Sequence, residues 1–200
     1  MKKFVGILGL AALAAPALAQ PQKNFLWTGS LAIADNDGPS TVTITVPADP
    51  GGLNTVGDVN VDTIIAHTWQ GDMNIVVSHG GTSVNVYNRP GFAGTGFGFS
   101  TDNVGNPTTG VAFVWDDEAT QGPYDTPVVA INNPVGNWRP ESPLSAFDGM
   151  DKRGDWTFTV TDHAAGDVGT IRQFSLAFTN VPEPAALALL ALGGMLLRRR

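Results

Sequence analysis

The residues best equipped for chemistry in this chain are carboxylates. Between positions 20 and 180 there are 17 acidic residues, of which 15 are Asp and only Glu118 and Glu141 are Glu. Asp116, Asp117 and Glu118 follow an alternating run that ends at Trp115, and Asp162 and Asp167 flank the segment His163–Gly166. Short carboxylates on loops suit hard cations, since Ca²⁺ takes roughly six to eight oxygens from carboxylates, carbonyls and water. Asp116, Asp117, Glu118, Asp162 and Asp167 are therefore the candidate calcium ligands. Against this stands a plainer reading, in which Asp162 and Asp167 shape turns and Asp116–Glu118 is a solvated run. Asp35-Asn36-Asp37-Gly38 lacks the later ligands and closing Glu of a calcium-binding helix–loop–helix, and reads as a turn.

A nucleophile is harder to find. Gly81-Thr82-Ser83 and the three histidines, His67, His79 and His163, supply the letters of a serine hydrolase. Such a triad is defined by geometry, however, and Ser83 opens an alternating stretch (Val84, Val86) directly after Gly80-Gly81, as a hairpin residue does. His67 reads as a hydrogen-bonded residue at a strand end, and no His-Glu-x-x-His pairing supports zinc. The absence of cysteine excludes disulfides, thiolate metal sites and a cysteine nucleophile. No catalytic residue is assigned. The five tryptophans, Trp27, Trp69, Trp115, Trp138 and Trp156, admit a sugar-stacking platform, which makes extracellular polysaccharide a candidate partner. Trp115 and Trp156 share the inward face of their runs with Val and Phe, so core packing explains them first, and Trp27 and Trp138 stay open.

The elements that must position these residues are strands. Val42, Ile44 and Val46 alternate with polar positions, as do Met73, Ile75 and Val77, Val84 and Val86, and Val111, Phe113 and Trp115. Trp156, Phe158 and Val160 continue the pattern, and Phe174, Leu176 and Phe178 end it. A period of two marks strands with one buried face. The joins are turn-rich: Asp35–Gly38, Pro47–Gly52, Gly80-Gly81 and Gly166–Gly169. No segment of the region shows a sustained helical period. The expected fold is all-β, an antiparallel sandwich or jelly roll of about eight strands. The glycine-rich stretch Gly91–Gly110 reads as a long, mobile surface loop.

Both ends read as address labels. Residues 1–19 have two lysines, an apolar run and the small-residue site Ala17-Leu18-Ala19, the layout of a secretory signal peptide. The tail 181–200 runs Val181-Pro182-Glu183-Pro184, thirteen uncharged residues, then Arg198-Arg199-Arg200. The apolar stretch is short for a membrane span, and the arginines favour its cytoplasmic side. This order resembles the PEP-CTERM sorting signal. The resemblance implies an exosortase as partner, transient inner-membrane anchoring, and delivery to the cell surface or the extracellular matrix. Residues 20–180 remain as one domain. Lys2, Lys3 and the three terminal arginines account for five of the 11 basic residues, and Glu183 for one of the 18 acidic ones. The domain thus has six basic against 17 acidic residues, a net −11, which repels nucleic acid and anionic lipid.

Two blocks carry a second resemblance. Val59–Gly91 includes H-T-W-Q-G-D at His67–Asp72, and Arg139–Phe178 includes P-L-S-A-F at Pro143–Phe147 and G-D-W-T-F-T-V-T-D at Gly154–Asp162. With the closing G-D-V-G-T-I they resemble the P domain (P/Homo B) that follows the catalytic domain of kexin- and furin-like proprotein convertases. The resemblance implies a jelly roll of about eight strands, with peptidase activity residing in a separate catalytic domain that this chain has no room for. It also raises the calcium reading, because several such jelly rolls are calcium-bound. The chain therefore reads as an exported, non-enzymatic surface or matrix binding module. The alternative is an accessory domain assisting a secreted serine protease in trans.

Overall fold

The computed structural model describes residues 23–124 and 129–181; the expected signal peptide, 1–19, and the tail from Pro182 to Arg200 lie outside them. Among the described residues the chain forms nine strands: β1 (Lys23–Ile33), β2 (Pro39–Val46), β3 (Thr55–His67), β4 (Met73–His79), β5 (Thr82–Asn88), β6 (Phe113–Trp115), β7 (Gly136–Trp138), β8 (Gly154–Asp162) and β9 (Gly169–Val181). Two single-turn 3₁₀ segments, Gln70–Asp72 and Leu144–Phe147, are interspersed. The strands build two sheets, ordered β1-β9-β3-β6-β7 and β2-β8-β4-β5. Every pairing is antiparallel except β6 with β7. This is the sandwich that the alternating pattern calls for.

The core lies between the sheets. β8 turns Trp156, Phe158 and Val160 inward and leaves Thr157, Thr159 and Thr161 on the other face. Phe158 stacks on Phe174 of β9 at 4.8 Å between ring centroids, and Trp156 meets Phe178 of β9 edge-on at 5.1 Å. Those two contacts tie one sheet to the other, and Trp115 of β6 reaches Phe158 as well. Buried aromatic side chains of this size dominate the apolar surface removed from water.

The β4–β5 hairpin turns on Gly80 and Gly81, at φ 56° and 86°. Positive φ at both central residues is the turn whose twist matches flanking strands. Ser83 consequently sits second in β5, where its hydroxyl shares a hydrogen bond with Ser78 Oγ at 2.8 Å. The stretch 91–110 is less free than its glycines suggest. Val104 pairs with Ile65 of β3 and is fully buried, and Asn103 N–H donates to the His67 carbonyl at 2.8 Å. Gly105 lies so close to Thr63 and Ile64 that a Cβ there would meet the β3 backbone. The second half of the expected mobile loop is stitched to the end of β3.

Candidate functional site

Four chain segments deliver one histidine and three acidic side chains to one end of the sandwich. His67 closes β3, and Asp72 ends the 3₁₀ turn that leads into β4. Asp162 closes β8 opposite Met73, and Asp167 lies two residues before β9, whose Gly169 faces His67. That glycine is required locally, since a Cβ on it would collide with the His67 ring and the Ala66 carbonyl. The antiparallel registers of β3 with β9 and of β4 with β8 thus converge on one spot.

His67 and Asp162 form a closed pair. The imidazole Nε2–H donates to Asp162 Oδ2 at 3.2 Å, and Nδ1 accepts the Trp69 backbone N–H at 3.0 Å. Neither side chain is more than 1 % exposed. Asp162 Oδ1 accepts the Ala164 N–H, and Asp167 Oδ1 accepts the Thr68 hydroxyl at 2.7 Å. A histidine with both ring nitrogens engaged in this way has no site left to take a proton from a nucleophile. Among the described residues no serine hydroxyl is hydrogen-bonded to a histidine. His79 is used structurally too: its ring nitrogens face the carbonyls of Asp155 and Asp151, and it stacks on Trp156 at 4.1 Å.

Asp72 differs from its neighbours. It is 2 % exposed, and its Oδ1 is buried with no hydrogen-bond partner. Burial, followed by the charges of Asp162 and Asp167, pushes its carboxyl up to about 6, with His67 and Arg89 pulling weakly the other way. Gln70, fully buried in the same turn, organises the surroundings. Its side-chain NH₂ donates to the carbonyls of Asp102 and Ile131, each at 2.9 Å, and to that of Asn103, while its Oε1 accepts the Thr101 hydroxyl. Gln70 and Asp72 both lie inside the His67–Asp72 motif, where the sequence alone assigns them no role. Their signal was polarity at positions flanked by strand residues.

The other expected calcium group lies elsewhere. Asp116, Asp117 and Glu118 follow β6, whose Trp115 pairs with Val61, so they neighbour Asp58 near the start of β3. Asp117 caps the 3₁₀ turn at Leu144, its two oxygens accepting the N–H groups of Leu144 and Ser145 at 2.9 and 2.8 Å. Asp116 accepts the Glu118 N–H and the Asn137 side-chain NH₂. The structure therefore brings Asp162 and Asp167 together with Asp72, and does not bring them to Asp116–Glu118. Among the described residues no three His, Cys, Asp or Glu side chains are grouped to hold a metal ion. Of the tryptophans, Trp115, Trp138 and Trp156 are buried, which removes Trp138 from a sugar platform, and Trp27 packs partly against the core. Trp69 stands half-buried beside Asp72.

The family model of the proprotein convertase P-domain matches residues 56–178, from the second residue of β3 to the last core aromatic of β9. The chain belongs to the proprotein convertase P-domain family. A PEP-CTERM protein-sorting motif matches residues 180–200, directly behind the P domain. This motif marks the chain for export and membrane-associated sorting. No curated protein matches the chain. Among solved structures, it is similar to the serine protease of Aeromonas sobria, at 19 % identity and a TM-score of 0.48. It is likewise similar to that protease in complex with its chaperone, at 19 % identity and 0.49. Each likeness covers 84 % of this chain and 28 % of the protease, so the chain spans little more than a quarter of those proteins. No helix among the described residues is long and apolar enough to cross a membrane, and the short apolar span 185–197 lies outside them.

Proposed function

We propose that this P domain is an exported, non-catalytic binding or structural module, released to the cell surface or extracellular matrix after an exosortase processes its tail. The observation that carries the reading is the succession of matches: a P domain ends at Phe178, and a sorting motif begins two residues later. The closed His67–Asp162 pair and the hairpin position of Ser83 support the absence of catalysis. P domains accompany protease catalytic domains, and this favours a second reading in which the module assists a secreted serine protease in trans.

The test is processing in the native host. Replacing Pro182, Glu183 and Pro184 with alanine should trap the chain in the inner membrane at full size, whereas the native chain is shortened and released. Release of the variant at the native size would overturn the sorting assignment. Co-purification of a serine protease with the released chain, against glycan binding without one, separates the two readings.

A further inference from the structure

At the Asp72 end of the sandwich lies a pocket of about 200 Å³, lined by Trp69, Asp72, Phe97, Ala164, Ala165 and Asp167. Its walls combine two features. The first is aromatic. Trp69 and Phe97 stand edge to face at 6.4 Å, held by a 2.7 Å hydrogen bond from the Trp69 indole N–H to the Phe97 carbonyl. Phe97 is 66 % exposed, so core packing does not account for its position. The loop bearing it is seated on Gly71, whose N–H donates to the Phe99 carbonyl at 3.0 Å. A Cβ at Gly71 would run into the Phe97 carbonyl and the backbone of Gly98 and Phe99, so the turn carrying Asp72 and the loop carrying Phe97 fit only at this glycine.

The second feature is uncompensated negative charge. Asp162 is engaged by His67 and by Ala164 N–H, and Asp167 uses one oxygen for Thr68. Asp72, nine-tenths buried and more, has an oxygen with no donor at all. The nearest guanidinium is directed elsewhere: Arg89 donates its Nε–H to the Gly71 carbonyl at 3.2 Å and lies over the Phe92 ring at 3.7 Å. A buried carboxylate in this state calls for a cation. A π-face attracts cations as well, and most strongly those with an organic, weakly hydrated head.

We propose that the pocket binds the ammonium or guanidinium head of a lysine or arginine side chain presented by a partner protein. The aliphatic stem lies against Trp69, Phe97 and the alanine methyls, and the charged head reaches Asp72 and Asp167. The carbon-rich walls and the lack of a third grouped ligand fit such a head better than a bare metal ion. The volume is below the roughly 300–1,000 Å³ of drug-sized sites and suits one side chain. The strongly acidic domain surface gives a basic partner a favourable approach. This inference stands independently of how the chain is sorted.

Calorimetric titration of the full chain in detergent, at constant ionic strength, tests it. The ligands are end-blocked lysine and arginine amides, the neutral norleucine amide, a glucosamine trimer and calcium chloride. We expect saturable binding of the lysine or arginine amide and none of norleucine. Asp72→Asn and Asp167→Asn should each weaken it by about tenfold or more, and Trp69→Ala should weaken it as well, whereas Asp155→Asn, exposed at the opposite end of β8 from Asp162, leaves it unchanged. Asp167 is only half-buried, so its variant remains informative even if Asp72→Asn fails to fold. Absence of saturable binding, equal affinity for norleucine, or affinity that survives both Asp variants would overturn the proposal. Binding of the glucosamine trimer alone would assign the pocket to an amino sugar, and binding of calcium alone would make it a metal site; either result overturns the side-chain assignment.

Discussion

Asp72 shows most clearly how a single residue here opposes its own surroundings. Its carboxyl is pushed up to about 6 by burial and by Asp162 and Asp167, so the folded chain holds that proton more tightly than the unfolded chain, where the value is 3.8. A raised carboxyl stabilises the fold while it is protonated, and this contribution is lost as pH rises through the folded value. At pH 7 to 8 the ionised group therefore costs stability, about 1–3 kcal/mol over the whole window. Asp72→Asn keeps the shape and removes the charge. Relative to the native chain, the variant should gain melting temperature steadily between pH 4 and 7, and the gain should level off above. Differential scanning calorimetry of both proteins at several pH values checks this. A variant less stable than the native chain at pH 8 would show that Asp72 is already paired in solution.

Among the elements, the strands were legible and the loops were not, for a physical reason. β2, β4, β8 and the second half of β9 alternate without interruption, so their core residues follow from a period of two, whereas β5 alternates only up to Val86, where a register shift against β4 leaves Val86 and Tyr87 both buried. β1 and β3 each carry register shifts, between Thr28 and Leu31 in the first and at Val56/Asp58 and Ile64/Ile65 in the second. A bulge adds a residue and inverts the alternation after it, which hid β1 and blurred β3. β7 is three residues long and has no period to read. The loop 91–110 looked free because its anchors are non-local: Gln70 reaches the carbonyls of Asp102, Asn103 and Ile131 across 30 to 60 positions of sequence. Gln70→Leu removes a donor shared by three part-buried carbonyls and the acceptor of the Thr101 hydroxyl, and should cost about 1–3 kcal/mol. Gly71→Ala should free the Phe97 loop by steric collision with it. Hydrogen exchange resolved by segment is expected to show residues 97–103 losing protection in both variants before the sandwich strands do. Loss of protection spread evenly over β4 and β8 would mean that the loop and the sheets are a single cooperative unit.

At the scale of the whole molecule, the dominant electrostatic fact is an excess of negative charge, net −11 over residues 20–180. Near the start of β3 the carboxyl of Asp58 is raised by burial first and then by Asp148, Asp116 and Asp117, and that of Asp148 by burial and Asp117. Glu118 is raised by burial and by its hydrogen bond with Asp116. Asp151 goes the other way, down to about 2 beside Arg153, and its stabilising contribution is lost only as pH falls through that low value. The raised groups outnumber it, and what they contribute is present when they are protonated and lost as pH rises through their folded values. At low salt the domain should therefore melt at a higher temperature near pH 5 than near pH 8, the opposite of a protein held by surface ion pairs. Sodium chloride at about 0.5 M shortens the screening length to a few ångströms, so it should raise the pH 8 midpoint and shrink the pH difference. With roughly 2–4 °C per kcal/mol for a domain of this size, a shift of several degrees is expected. Calcium bound at the proposed Asp116–Glu118 ligands would add a shift beyond that of magnesium at equal ionic strength; Asp117→Asn would abolish that excess and, by losing one of the two capping hydrogen bonds to Leu144 and Ser145, would also lower the midpoint without calcium. A midpoint that falls with added salt at pH 8 would refute the charge-repulsion account, because screening can lower stability only where attraction between charges outweighs repulsion.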